Sequence, residues 1–354
     1  MSAPVPDGYL LRHALQADTA SCQRVLDAAE SADCGEPRRH EARLAIEFRD
    51  PQLDLGRDVW VVTAPVGPVV AGASLVAGAP AAPSVPANRG AATSPAAPPI
   101  AAVGWVWPPQ AAGAITADLY VDPEHRGRGL HEVLLDAIEG RAAEHEAARA
   151  ARAGASAAGL VIWAEPDVAE HHRSLETRGF AVERQYYEMR IDLDEDLERP
   201  VWPAGIAVRT MQVGRDEPRL HLADNEAFAE HHLFEPRTFE EWRLHHVDRP
   251  DFDPGLWPIG WDGEEIAGYA AAFAADDGGY VADLAVRAPW RGRGLGLALL
   301  LEEFRALGAR GATVARLTVD AQNATGAVEL YRRAGMRVAR RFDVLVKRPA
   351  SPRG

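Results

Sequence analysis

Only two cysteines, Cys22 and Cys34, occur in 354 residues, and Lys347 is the only lysine. Two thiols supply neither a disulfide framework nor a four-ligand zinc cluster, so no metal is expected. There is no uninterrupted apolar run of membrane length, and Met1-Ser-Ala-Pro-Val-Pro lacks the basic-then-apolar pattern of a secretory leader. A cytoplasmic protein is expected. An excess of positive charge is missing too: the formal net charge is −14 and the pI near 5.3. That argues against nucleic acid or an anionic membrane as a main partner, and is compatible with a cationic acceptor such as an amine. No Gly-Lys-Ser/Thr occurs, which excludes a Walker A phosphate loop.

What is present is ordinary for a soluble globular chain, 47% hydrophobic and 25% charged, with length enough for two domains. Its most informative stretch begins with Tyr280-Val-Ala-Asp-Leu-Ala-Val286, apolar with one acid, which reads as a buried strand. Leu297, Leu300, Leu301, Phe304 and Leu307 follow at helical spacing and predict an amphipathic helix packed on that strand. Between them lies Arg291-Gly-Arg-Gly-Leu-Gly296, a basic, glycine-rich turn at a helix N-terminus. Free amides and the helix dipole there suit a phosphate or pyrophosphate. A solvated Arg-Gly turn is the bland alternative. A dinucleotide fold is a rival, since Asp320 follows the next apolar run, although position 297 is Leu where that fingerprint wants glycine.

The stretch Arg291-Gly-Arg-Gly-Leu-Gly296 resembles the Arg/Gln-x-x-Gly-x-Gly/Ala acetyl-CoA loop of the GNAT N-acetyltransferase superfamily. Leu284-Ala-Val286 stands where that family's splayed fourth strand meets the thioester. Leu317-Thr-Val-Asp-Ala-Gln-Asn323, Ala327, Leu330-Tyr331 and Gly335-Met336 look like its fifth strand and last helix, so the likeness runs over residues 280 to 336. It implies acetyl-CoA as co-substrate, bound through Leu284, Ala285, Val286, Arg291, Gly292, Arg293, Gly294, Leu295, Gly296 and Asn323. Asn323 is also the candidate cap of the last helix.

The same unit occurs earlier. Ala117-Asp-Leu-Tyr-Val-Asp-Pro-Glu-His-Arg-Gly-Arg-Gly-Leu-His-Glu-Val-Leu-Leu135 aligns without gaps on Ala282 to Leu300, with identities that include Asp118/Asp283, Arg126/Arg291, Gly127/Gly292, Arg128/Arg293 and Gly129/Gly294. A repeat of this density means a tandem pair of one fold. The expected class is α/β with a mixed α+β sheet, as two GNAT folds. The tandem arrangement is similar to that of mycothiol synthase and its two-domain relatives.

The expected division is an N-terminal domain over 1–193, a linker over 194–205 and a catalytic domain over 206–354. Strands are predicted at Leu10–Leu15, Val59–Thr63, Val69–Val76 and Tyr186–Leu193, and a helix over Glu41–Phe48. Residues 77–100 alternate Pro with Ala, Ser and Gly, cannot bury enough surface to offset their ordering entropy, and read as a flexible loop.

The copies differ where chemistry would sit. Gly296 is matched by His131, and Tyr331, four residues before Gly335, by Leu175, four before Gly179. The first domain is therefore expected to keep a pyrophosphate cradle (Leu119, Tyr120, Val121, Arg126, Gly127, Arg128, Gly129) and to be non-catalytic. In the mechanism the resemblance implies, an amine attacks the thioester directly. A backbone N–H near Ala285 or Val286 stabilises the tetrahedral oxygen, and Tyr331 protonates the departing thiolate. Asp283, predicted to face away from Leu284, and Glu226, in the helical region that walls the family's acceptor site, are the candidate bases, with His231 and His232 nearby in sequence. The expected activity is acetyl transfer to a small-molecule primary amine, by a monomer or homodimer. The alternative is an acyl-CoA-binding regulatory protein without turnover.

Overall fold

The first half of the chain folds as β1 (Leu10–His13), α1 (Thr19–Cys34), α2 (Arg43–Glu47), α3 (Leu55–Asp58), β2 (Val59–Thr63), β3 (Ile100–Trp107), β4 (Ile115–Val121), α4 (Leu130–Ala153), β5 (Leu160–Ala164), α5 (Ala169–Thr177) and β6 (Ala181–Asp192). The second half repeats the order, without a counterpart of the one-turn α3, as β7 (Ile206–Thr210), α6 (Glu217–Phe228), α7 (Phe239–His246), β8 (Pro258–Asp262), β9 (Glu265–Ala275), β10 (Gly278–Val286), α8 (Leu295–Gly308), β11 (Val314–Asp320), α9 (Ala327–Arg333) and β12 (Arg337–Lys347). This computed structural model describes residues 3–34, 43–65, 98–109, 114–153, 159–166, 168–193, 197–229, 234, 236–275, 278–323 and 326–348.

The strands form one mixed 12-stranded sheet in the order β1-β2-β3-β4-β5-β12-β6-β11-β10-β9-β8-β7. Its centre is exchanged between the halves. β12, at the end of the chain, pairs antiparallel with β5 of the first half through five residues, Asp343↔Ala164 to Lys347↔Leu160. β6, which ends the first half, pairs antiparallel with β11 from Val314↔Asp192 to Asp320↔Tyr186, and with β12 on its other edge. A division at residue 193 thus separates the sets of helices but cuts through the sheet. The 197–205 part of the expected linker leads into β7, and its Trp202 packs with Ile206 beside the buried Leu295 and Leu299.

The predicted strand Val69–Val76, and the 77–100 loop as far as residue 97, lie outside the described residues. On its edge away from β1, β2 pairs with β3, from Val59↔Trp105 to Thr63↔Ile100, a strand the sequence pattern did not predict. All but its last residue are buried, so it shows no alternation and follows a proline-rich run without a break in composition.

The second half's helix α8 fixes the site because one flank, apolar but for Glu303, is buried. Leu299, Leu300, Phe304 and Leu307 are fully buried, and burial of each such side chain is worth about 1.5–3 kcal/mol. Its N-cap, Gly294, has φ 87°, a left-handed conformation that a side chain would strain. Both last helices stop in the same way. Met336 N–H donates to Tyr331 O (3.0 Å) and Gly335 N–H to Arg332 O (3.0 Å), while Phe180 N–H donates to Leu175 O (3.1 Å) and Gly179 N–H to Glu176 O (2.9 Å). Each is a Schellman stop on a left-handed glycine. Leu175 and Tyr331 are therefore equivalent in structure as well as in spacing.

Candidate active site

β10 and the parallel β11 hydrogen-bond at Gly279↔Ala315 and Tyr280↔Arg316, and the pairing ends there. On the other edge, the β9 register shifts between Val281↔Ala272 and Asp283↔Ala271, so Ala282 is bulged out and β10 bends away. The gap is a cleft of ≈ 480 Å³, floored by Leu284, Ala285 and Val286, rimmed by Gly292, Gly294 and Gly296, and walled by Tyr331. Arg287 N–H is bonded to Ala267 O in β9. Strand alternation therefore turns the Val286 N–H the other way, into the cleft.

The loop gives the cleft a positive end. No side chain caps Gly294 at the start of α8, which leaves amides of the first turn for an anion. A Cβ on Gly296 would stand 3.1 Å from Leu330 Cδ1 in α9 and 3.6 Å from Val286 Cγ2, so a side chain there would press into the walls. Arg291 holds the loop in place, donating through Nε to Val286 O (3.0 Å) and through Nη2 to Ala227 O (3.3 Å). Leu295 also lines the cleft, and its buried side chain anchors the loop beside Trp290 and Leu299.

Arg293 and Asn323 are not among the cleft-lining residues. Asn323 does not cap the last helix as expected. Its N–H closes a turn onto Asp320 O (3.1 Å), and the N-cap of α9 is Gly326, at φ 76°. A left-handed glycine lets the chain turn sharply into a short helix, which a cap three residues earlier would have lengthened.

Tyr331 is 9% exposed. Burial, then the neighbouring Tyr280 and Asp283, push its phenol well above the usual tyrosine range, so it keeps its proton at neutral pH. Leu284 packs with Ala270 and Leu299 on the α8 face of the sheet, while Asp283 faces the opposite way, toward α7.

There Asp283 meets residues absent from the sequence reading. His246 Nε2 lies 3.1 Å from Asp283 Oδ2, and His246 Nδ1 lies 2.7 Å from Trp242 O. A carbonyl only accepts, so Nδ1 carries a hydrogen, and the Nε2–Oδ2 contact needs one further proton shared between the two groups. Behind them the Tyr269 hydroxyl donates to Asp224. Burial, then the Asp283 charge, raise the Asp224 carboxyl to about 6.

Glu226 is not brought to this cluster. Leu220, Ala223, Asp224 and Ala227 form the buried stripe of α6, which leaves Glu226 on the other side, 49% exposed and 2.8 Å from Arg287 Nη2. An acid on the apolar stripe of α6 was the signal for Asp224. His231 and His232 lie outside the described residues.

The first lobe's Leu119, Tyr120, Val121 and Arg126 line a separate cleft of ≈ 260 Å³, which Phe342 of β12 also borders. Arg126 forks onto Asp33 through Nη1 (2.6 Å) and Nη2 (2.8 Å), and Arg128 Nη2 donates to Glu124 O (3.4 Å). Among the described residues no three His, Cys, Asp or Glu come together as a metal site would require, and no helix is long and apolar enough to cross a membrane.

Residues 219–336 match the sequence model described as the Acetyltransferase (GNAT) family. Over 225 residues the chain is 33% identical to a mycothiol acetyltransferase of Streptomyces scabiei, covering 63% of this chain and 68% of that protein. It is similar over 98% of both chains to the solved structure of a GCN5-related N-acetyltransferase from Sphaerobacter thermophilus, with a TM-score of 0.75 and 29% identity. A tandem GNAT protein from the clavulanic acid biosynthesis pathway shares the fold over 97% of this chain and 100% of its own, with a TM-score of 0.66 at 14% identity.

Proposed function

Since the chain belongs to the GNAT acetyltransferase family and is an N-acetyltransferase, we propose that it acetylates the primary amine of a small molecule by direct attack on acetyl-CoA in the second-half cleft. The observation that carries this reading is the convergence in one cleft of an uncapped helix N-terminus, a splayed strand and a buried tyrosine. The pyrophosphate would lie on the amides around Gly292, Gly294 and Gly296, and the thioester along Leu284–Val286. The Val286 N–H is aimed to donate to the oxyanion as the amine adds.

The amine arrives as an ammonium and must lose a proton before it attacks. Asp283 supplies a carboxylate, and His246 lies on the far side of it with Nδ1–H already committed to Trp242. A proton passed from the ammonium to Asp283, directly or through one water, completes the Oδ2–H–Nε2 bond that the pair otherwise lacks. The C–S bond then breaks as the tetrahedral carbon collapses, and Tyr331 donates its phenolic proton to the sulfur. Buried Asp224 and half-buried Asp283 favour an acceptor that brings positive charge.

The test is free-thiol release from acetyl-CoA with a panel of primary amines. The mycothiol-precursor amine comes first, on the strength of the name of the Streptomyces scabiei relative. Turnover with at least one small amine is expected. CoA binding without turnover across the panel would favour a regulatory role instead.

A further inference from the structure

The first lobe carries the same loop as the second, but its neighbourhood is filled by its own side chains. The loop alignment gives His131 as the counterpart of Gly296, and the shared glycine stops give Glu170 for Gly326, His171 for Ala327 and Leu175 for Tyr331. Glycine or alanine at the first three leaves space, and the first lobe places two imidazoles and a carboxylate there.

The geometry follows from the substitutions. Glu170, in the first turn of α5, accepts the Gly127 N–H at 3.1 Å, and its Oε1 lies 3.9 Å from His131 Nδ1. That amide belongs to the glycine matching Gly292, so a carboxylate stands where the loop would otherwise offer an amide to a phosphate. His131 and His171 are both buried, with ring centroids 5.3 Å apart. Burial holds His131 below the usual histidine range and takes His171 down to about 3. Both rings are therefore neutral near pH 7 and supply bulk without charge. Arg126, the first of the loop's two arginines, is already held by both oxygens of Asp33. A pyrophosphate would have to displace one carboxylate, compete with a second for the arginine, and move two buried rings.

We propose that the first loop is a self-liganded anion site, with Glu170 in place of a phosphate, so that the chain binds a single CoA, in the second lobe. The first lobe's part in the enzyme is then to supply β6, the strand that pairs with β11 through Val314–Asp320 beside the catalytic cleft. This rests on the reading of the second loop as the CoA cradle.

The experiment is calorimetric titration of CoA into the full chain, with a thermal melt of every variant. Wild type should take one equivalent, Gly294→Glu none, and the combined variant His131→Gly, Glu170→Gly, His171→Ala a second equivalent, with wild-type turnover. Two equivalents in wild type, or an equivalent that survives Gly294→Glu and is lost on Arg126→Glu, would overturn the proposal. A folded combined variant that gains nothing over wild type would overturn it as well. Failure of the cradle reading looks different: Gly294→Glu and Arg291→Glu would leave the wild-type isotherm unchanged, or wild type would take no CoA while the combined variant still gained an equivalent.

Discussion

His246 Nε2 and Asp283 Oδ2 stand 3.1 Å apart, and the hydrogen between them is one that the His246 tautomer bonded to Trp242 does not supply. If this pair receives the acceptor's proton, Asp283→Asn should lower kcat by about a hundred- to ten-thousand-fold, with acetyl-CoA affinity unchanged. His246→Gln should cost less. The Asp283 charge helps to raise Asp224 to about 6, so Asp283→Asn should also draw the Asp224 carboxyl down toward its ordinary value, readable by carboxyl-carbon NMR. Wild-type kcat in Asp283→Asn would remove the pair from the mechanism.

Gly296 is the loop glycine for which the first lobe has His131. Gly296→His copies that lobe, and the first atom of the new side chain already meets Leu330 at 3.1 Å. CoA affinity should fall by more than about tenfold, on the order of 1.4 kcal/mol or above, with the melting temperature little changed. Calorimetry decides, and an unchanged affinity would mean that the loop does not need a clear path at this position.

Glu303 in α8 is fully buried, and neither carboxyl oxygen has a hydrogen-bond partner. Burial raises its pKa well above the usual glutamate value. A carboxyl whose folded pKa is raised destabilises increasingly as pH climbs through the unfolded value toward the folded one. Glu303→Met should therefore stabilise the protein by roughly 1–3 kcal/mol, with a larger gain at pH 8 than at pH 5 in thermal melts. A gain independent of pH would mean that Glu303 is ionised in the fold or paired in solution.

The exchange of β6 and β12 makes the halves interdependent. Without residues 1–193, β11 and β12 lose the strand between them and β12 also loses β5. Residues 206–354 alone should fail to give a cooperative melt. A monomeric, cooperatively folded fragment would show that β12 can close on β11 directly.

The loop, the repeat and Tyr331 were legible in the sequence because each rests on local spacing: Arg291 to Gly296, its copy at Arg126, and the tyrosine four residues before Gly335. Strand pairing was not, since nothing in Ala181–Asp192 states that its neighbour is Val314–Asp320 rather than Leu160–Ala164. The acid cluster was half visible. Asp283 stood out as the one charge in an apolar strand, whereas His246 reaches it only through the packing of α7 across the sheet. Glu226 and Asp224 lie two residues apart, about 200° around a helix, and burial of one face decided between them.

The most direct test of the catalytic account is Tyr331→Phe, assayed for thiol release with an accepted amine under conditions where chemistry limits turnover. The ring keeps its packing and only the hydroxyl is lost, so acetyl-CoA affinity and melting temperature should hold while kcat falls by about a hundred- to ten-thousand-fold. Wild-type kcat in Tyr331→Phe would contradict the account, because the thiolate would then take its proton from elsewhere.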